Sequence, residues 1–186
     1  MKKNILAAII TATVVLSSQA FAANTAQLVI HGTVTDTDNT CNVTPSGAIT
    51  GGTVVLDDIK VSALEALAVN SPSLASAKDV TYKVEDCKKD GKDYDGNLNV
   101  SVAGDYISGS PDILTNQAAS PAKNAALALM NSNDSSRVKF DGSTAQTVAY
   151  TAGTPATLKY KAAYVKTAAG VEAGDVKGVA TFTITY

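Results

Sequence analysis

Two cysteines, Cys41 and Cys87, are the residues of this chain best suited to covalent chemistry. Two thiols can form a disulfide, hold a metal with further ligands, or act as a catalytic pair. Neither cysteine has a histidine or a second cysteine at ligand spacing, which disfavours the metal and catalytic roles. An even cysteine count in an exported chain instead favours a disulfide, which would restrict the unfolded chain by about 4 kcal/mol.

The other candidates for site chemistry do not converge. His31 is the only histidine, and a general base or zinc ligand would need partners that the sequence does not offer. The acidic run 90–95 departs from the Asp-x-Asp-x-Asp-Gly calcium loop and lacks its closing glutamate, so we interpret it as a hairpin turn. There is neither a phosphate-binding glycine loop nor a serine nucleophile motif. We therefore expect no catalytic residue, no metal and no cofactor, and do not expect an enzyme.

The first 22 residues have the composition of a secretory signal peptide. Lys2 and Lys3 precede an apolar run at 5–16, and a small-x-small cleavage site follows at 20–22. Residues 23–186 are then the exported protein, and their length is typical of one domain. The formal net charge of −2 and the lack of a basic patch exclude nucleic acid as an expected partner.

The dominant period of the exported part is two. Segments 80–85, 97–102 and 158–164 alternate apolar and polar residues, and Gly- and Asp-rich turns separate them. Many short alternating strands predict an all-β sandwich with antiparallel sheets. Two stretches are ambiguous: 61–69 could contain one helical turn, and 124–131 has a helical composition although its position among strands favours a strand.

Both ends of the exported chain carry well-formed alternating segments. Each predicts a strand with one apolar edge, because side chains along a strand point alternately to opposite faces. The N-terminal edge consists of Leu28, Ile30, Gly32 and Val34, with His31 on the opposite face. The C-terminal edge consists of Ala180, Phe182, Ile184 and Tyr186.

In these two segments and in its first cysteine, the chain resembles the structural pilin subunits of chaperone–usher fimbriae, the type 1 and P pilus family. The apolar-x-apolar-x-Gly-x-apolar pattern at 28–34, followed by Cys41, is similar to the family's N-terminal donor segment. The run from Gly174 to Tyr186 is similar to its C-terminal signature. The spacing from Val34 to Cys41 is slightly longer than usual for the family.

The resemblance implies an immunoglobulin-like sandwich that lacks its final strand, and hence an apolar groove beside the C-terminal strand. A periplasmic chaperone would lend a strand to this groove, and the donor segment of the next subunit would replace that strand, with an outer-membrane usher in the pathway. Residues 23–36 would be the donor extension and 37–186 the pilin domain. The strand-donation mode is an established example of β-augmentation. Head-to-tail repetition would give a filament on the surface of a Gram-negative bacterium.

The sequence thus predicts a structural, major subunit of an adhesive fimbria, whose partners are copies of itself and related pilins. A host-surface receptor is a further candidate partner. Two alternatives stay open. One is a fimbrial adhesin or minor subunit that binds a host receptor, although the single domain and the donor segment disfavour it. The other is a self-contained exported β-sandwich, which would be a stable monomer with residues 24–36 folded into its own groove.

Overall fold

A computed structural model of the chain describes residues 26–32, 40–47, 49–50 and 52–186. The expected signal peptide and Val34 lie outside these ranges. The described residues fold mainly into strands, as the period-two pattern predicts. The strands are β1 (Ala26–Gly32), β2 (Thr40–Ser46), β3 (Ile49–Thr50), β4 (Thr53–Leu56), β5 (Lys78–Lys89), β6 (Lys92–Asp93), β7 (Gly96–Gly104), β8 (Tyr106–Ile107), β9 (Ser110–Leu114), β10 (Ala125–Asn131), β11 (Asp141–Tyr150), β12 (Ala156–Lys166) and β13 (Val176–Thr185).

These strands form two sheets. The first has the order β11-β7-β13-β1-β4-β3, and the second has the order β2-β5-β12-β10-β9-β8 with β6 paired to β5. All pairs are antiparallel except β1 with β13, which run parallel. The first sheet therefore places the N-terminal segment between the C-terminal strand and β4.

The core lies between the sheets and is built from the inward residues of both. Every second residue is buried along β7 and along the first part of β12, which is why these segments alternate in sequence, whereas the last five residues of β12 are all buried. Among the largest fully buried side chains are Tyr160 and Leu158 of β12, Leu98 of β7, and Leu28 of β1. A residue of the N-terminal segment is thus part of the main core.

The structure shows which conformation each of the two ambiguous stretches adopts. The 61–69 stretch contains a short helix α1 (Val61–Glu65), which packs Leu64 into the core. The 124–131 stretch is strand β10, as predicted, and all of its residues are buried. The acidic run forms the predicted hairpin between β5 and β6, with positive φ angles at Asp90 and Gly91. Within the described part of the chain, no helix has the length and hydropathy to cross a membrane.

The two cysteines form the predicted disulfide. Cys41 lies in β2, the edge strand of the second sheet, and Cys87 lies near the end of the neighbouring strand β5. The Cys87 N–H donates a hydrogen bond of 3.1 Å to the hydroxyl of Tyr150, in β11 of the first sheet. The disulfide joins two neighbouring strands of the second sheet, and the hydrogen bond ties the end of β5 to the first sheet.

Candidate functional site

The most unusual feature of the first sheet is the position of β1, which we call the β1 slot, between β13 and β4. Ala26 lies opposite Val176 at one end of the slot, and Gly32 lies opposite Phe182 towards the other end. On the other side, β4 pairs with β1 from Ala26 to Val29. If β1 left, facing edges of β13 and β4 would lose their hydrogen-bond partners and an apolar gap would open between them.

The inward side chains of β1 complete the core. Ala26 is 0% exposed and Leu28 is 1% exposed, whereas Gln27 is exposed. Leu28 lies between Gly178 of β13 and Val54 of β4, which pair with it from either side. Burial of one leucine side chain stabilises a fold by about 1.5–3 kcal/mol. The segment therefore contributes to stability through its apolar edge as well as through its backbone.

The floor of the β1 slot is shaped by a glycine of the C-terminal strand. A Cβ added to Gly178 would lie 2.9 Å from Leu114 Cδ1 and 3.2 Å from Leu127 Cδ1. Both leucines belong to the second sheet and are almost fully buried. Glycine at this position therefore lets the two sheets approach closely beside Leu28.

Aromatic rings fill the core beside the far end of the slot. The ring of Phe182 lies 5.5 Å from that of Tyr82 and 5.3 Å from that of Tyr160, measured between centroids. Burial raises the pKa of both tyrosine hydroxyls well above the usual value. Beyond Phe182, the ring of Tyr186 packs 4.8 Å from Tyr94, and its hydroxyl donates to the Lys88 carbonyl at 3.1 Å. We call this end the Tyr186 pole.

The opposite end of the slot, which we call the Val176 pole, opens into a small pocket of about 30 Å³. Its apolar lining includes Ala26, Val61, Leu64, Tyr164, Val171 and Val176. The Tyr164 hydroxyl donates to the Asp57 carbonyl at 3.0 Å, and burial raises the pKa of this tyrosine to about 12. From β1, only the single methyl group of Ala26 reaches the pocket.

Polar contacts that Glu65 makes with Lys166 and Val171 hold the wall of this pocket, and we call them the Glu65–Lys166 clamp. The ammonium group of Lys166 lies 3.1 Å from Glu65 Oε1 and donates to the Glu65 carbonyl at 2.7 Å. The Val171 N–H donates to Glu65 Oε2 at 2.9 Å. That hydrogen bond and the Lys166 ammonium hold the pKa of the Glu65 carboxyl below its usual value. The clamp ties α1 to the loop between β12 and β13.

A glycine and an asparagine shape the start of β13. A Cβ on Gly174 would lie 2.5 Å from the Ala122 nitrogen, so glycine permits the close approach of these two backbones. Asn116 donates to the Asp175 carbonyl at 2.9 Å and accepts from the Lys177 N–H at 3.0 Å. These contacts give a physical reason for the glycine that opens the C-terminal pattern.

The structure brings the two predicted terminal edges together within one chain. Leu28, Ile30 and Gly32 lie in β1, with Ile30 opposite Ala180 and Gly32 opposite Phe182. Val34 lies outside the described residues. Ala180 and Phe182 are buried, whereas Ile184 and Tyr186 are partly buried and lie past the last residue that pairs with β1. His31 lies in β1 opposite Thr181, and its outward direction stays a prediction.

Several residues of this site are missing from the sequence interpretation. Ala26 is one more inward residue of the segment, two residues before Leu28. The same alternation, continued from Leu28 back to Ala26, is the sequence signal that indicates it. The β4 wall and the Glu65–Lys166 clamp combine distant parts of the chain, and no local pattern indicates them. Among the described residues, no three His, Cys, Asp or Glu side chains are placed to hold a metal ion.

Comparisons with known proteins agree with this architecture. The P pilus rod subunit PapA matches with a TM-score of 0.59 and 22% identity, over 78% of this chain and 98% of its own. A chaperone–usher pilus structure concerned with rod uncoiling matches with a TM-score of 0.59 and 23% identity, over 84% of this chain and 91% of its own. A Burkholderia pseudomallei antigen and type I fimbria protein matches with a TM-score of 0.54 and 23% identity, over 88% of this chain and 94% of its own. At such identities the likeness establishes the immunoglobulin-like pilin fold.

The family assignment comes from the sequence itself. No significantly similar protein was found among curated sequences. The family model described as fimbrial protein, however, matches residues 28–186, which include the C-terminal strand and most of β1. Members of this family are structural proteins and not enzymes. The chain therefore belongs to the fimbrial protein family.

Proposed function

We propose that this chain is the major, rod-forming subunit of an adhesive fimbria and that it polymerises by donor-strand exchange. The proposal rests on the β1 slot, whose apolar floor needs a strand to cover it. The strand that covers it, β1, is covalently joined to the rest of the domain through residues 33–39. The segment of one copy that fits this slot fits the identical slot of another copy equally well. Head-to-tail donation of this kind does not close and generates a filament.

The extent of the match to a rod subunit supports the rod-forming role. The match to the P pilus rod subunit extends over 98% of that protein, so a single pilin domain accounts for the likeness. In this proposal Leu28, Ile30 and Val34 fill pockets in the neighbour. Gly32 occupies a place where the neighbour's core leaves no room for a side chain. A periplasmic chaperone supplies the strand before assembly, and an outer-membrane usher directs the exchange.

The position of β1 in its own slot is also the arrangement that the self-contained alternative predicts. The two functions differ in what the segment does after export. A self-contained binder would keep β1 in place, whereas a rod subunit would give it to a neighbour. Deleting residues 24–36 should leave a subunit that still binds the chaperone, because its slot is unchanged, yet cannot extend a filament.

Gly32→Leu tests the same proposal with a single substitution. A bulky side chain forced into a tightly packed site costs about 1–3 kcal/mol, so filament yield should fall sharply. His31→Ala is the matched control and should leave the yield nearly unchanged. Filament yield is measured by electron microscopy and by sedimentation of surface-sheared material. Normal filaments from the deletion variant would contradict strand donation, and an essential His31 beside a tolerant Gly32 would mean that the opposite face points inward.

A further inference from the structure

We propose that residues 146–150 of β11, which we call the β11 edge, pair with the same residues of a second copy of this chain. The two strands would run antiparallel about Val148 and extend the first sheet from one molecule into the next. Strand β11 is the last strand on its side of that sheet, beyond β7. The pairing itself does not depend on strand donation. Its repetition along two filaments, which would hold them side by side, rests on the proposed function.

The other edge strands of the described part of the chain have features that discourage pairing. Strands β3, β6 and β8 have two residues each, so they offer few hydrogen-bonding groups. Strand β2 is longer, but it contains Pro45, which has no N–H to donate. Its pairing with β5 also shifts register between Thr40 and Asn42. Short strands, prolines and bulges are common means by which proteins prevent edge-to-edge association.

The β11 edge lacks all of these features. Strand β11 has 10 residues, and after Asp141 it contains no Lys, Arg, Asp, Glu or Pro. Its first half is irregular, with register shifts up to Gln146. Residues 146–150 then pair one to one with β7, and within the described ranges they make no backbone hydrogen bond outside that ladder. The outward backbone groups of this regular stretch are therefore a template for another strand.

The side chains of the β11 edge suit a second copy of the same edge. In an antiparallel pair about Val148, this residue faces its own copy, and Thr147 faces Ala149 of the copy. Val148 is only partly buried at the margin of the main core, so contact with its copy removes further apolar surface from water. Thr147 and Ala149 are exposed and uncharged, so the two copies meet without like-charge repulsion. A charged partner strand would find no counter-charge on this edge.

A single contact of this kind is small. It joins five residues from each copy, whereas a stable protein interface uses about 20–30 residues from each partner. We therefore expect the exported subunit to remain monomeric at low concentration. Two filaments present many such edges, and multivalent contact raises the apparent affinity about 100- to 10,000-fold. Filaments should therefore associate side by side under conditions in which monomers do not.

Single cysteines test the pairing and its register. Val148→Cys places the new thiol opposite its own copy, with Cα atoms about 4.5–5.5 Å apart, within the range that a disulfide spans. Oxidation of the concentrated exported monomer should therefore trap dimers that mass spectrometry assigns to position 148. Ala149→Cys is the matched control, because its own copy lies two residues farther along the partner strand. Although Ala149 is the more exposed residue, this variant should give about tenfold fewer dimers.

Charge variants test the association of filaments. The variant T147K/A149K opposes two lysines twice in each contact and should lower the bundled fraction about tenfold. The variant T147K/A149E opposes lysine and glutamate instead and should restore the bundles. Thr183→Lys is the control on the outer face of β13, two strands from the edge, and should leave bundling unchanged. Electron microscopy counts single and bundled filaments, and low-speed sedimentation measures the bundled fraction.

The two experiments separate the β11 edge from strand donation. Dimers trapped by Val148→Cys would support the edge even if the wild-type subunit formed no filaments, a result that would contradict the proposed function alone. Equal dimer yields from Val148→Cys and Ala149→Cys would overturn the pairing, even where filaments form normally. Wild-type filaments that stay single, or equal bundling by T147K/A149K and T147K/A149E, would overturn side-by-side association through this edge. Loss of bundling in Thr183→Lys would do the same, because it would indicate contact between sheet faces.

Discussion

Leu28→Ala is the substitution that most directly measures how much the N-terminal segment contributes to the stability of the fold. Leu28 is 1% exposed and lies between Gly178 and Val54, so its truncation leaves a cavity in the main core. Truncations of buried leucines cost about 2–5 kcal/mol. With a urea dependence of about 2 kcal/mol per molar, the midpoint of unfolding should fall by about 1–2.5 M.

The assay is urea unfolding of the exported monomer, followed by tyrosine fluorescence and circular dichroism. Val29→Ala is the matched control, because Val29 is the next residue of the same strand and is only partly buried. Its effect should be at most about 1 kcal/mol. An unchanged midpoint for Leu28→Ala would show that the monomer does not use this segment. A larger loss for Val29→Ala would show that the opposite face points inward.

Three further substitutions test other parts of the site. Phe182→Ser should cost about 3–5 kcal/mol or prevent folding, because it removes the ring that packs on Tyr82 and Tyr160; normal chaperone-bound yield would contradict this. Cys41→Ser should lower the free energy of unfolding by about 2–5 kcal/mol and reduce periplasmic yield, and unchanged thermal unfolding would oppose it. Glu65→Gln should lower the melting temperature at neutral pH. The Glu65 pKa is depressed in the folded state, so its stabilisation is complete above the unfolded value and is lost as the pH falls through the folded value. The wild-type and Glu65→Gln melting temperatures should thus converge in acid, and a constant difference would contradict the clamp.

Much of the fold follows from local patterns in the sequence. Segments such as 97–102 and 158–164 alternate because each has one face in the core, and the strands β7 and β12 lie there. The disulfide follows from the cysteine count and from the export signal. Strand β10 was harder to identify, because it is buried throughout and so lacks alternation. Only its position among other strands favours a strand over a helix.

The β1 slot can be predicted only in part from the sequence. Alternation identifies which residues of the terminal segments share an edge, yet it does not encode the partner of a strand or its direction. The parallel pairing of β1 with β13 depends on where residues 33–39 lead, which is a property of the assembled sheets. The Val176 pole escapes prediction for a related reason, because Ala26, Leu64 and Tyr164 meet there from three distant parts of the chain.

A cryo-electron microscopy map of the assembled filament tests strand donation most directly. In this map the chain is traced from Thr40 towards the N-terminus. In that map the strand between β13 and β4 should connect to the Thr40 of a neighbouring subunit, and each subunit should donate its own residues 26–34 in turn. If the strand in the slot were instead continuous with Thr40 of the same subunit, the filament would be held together by other contacts. Strand donation by this segment would then be wrong.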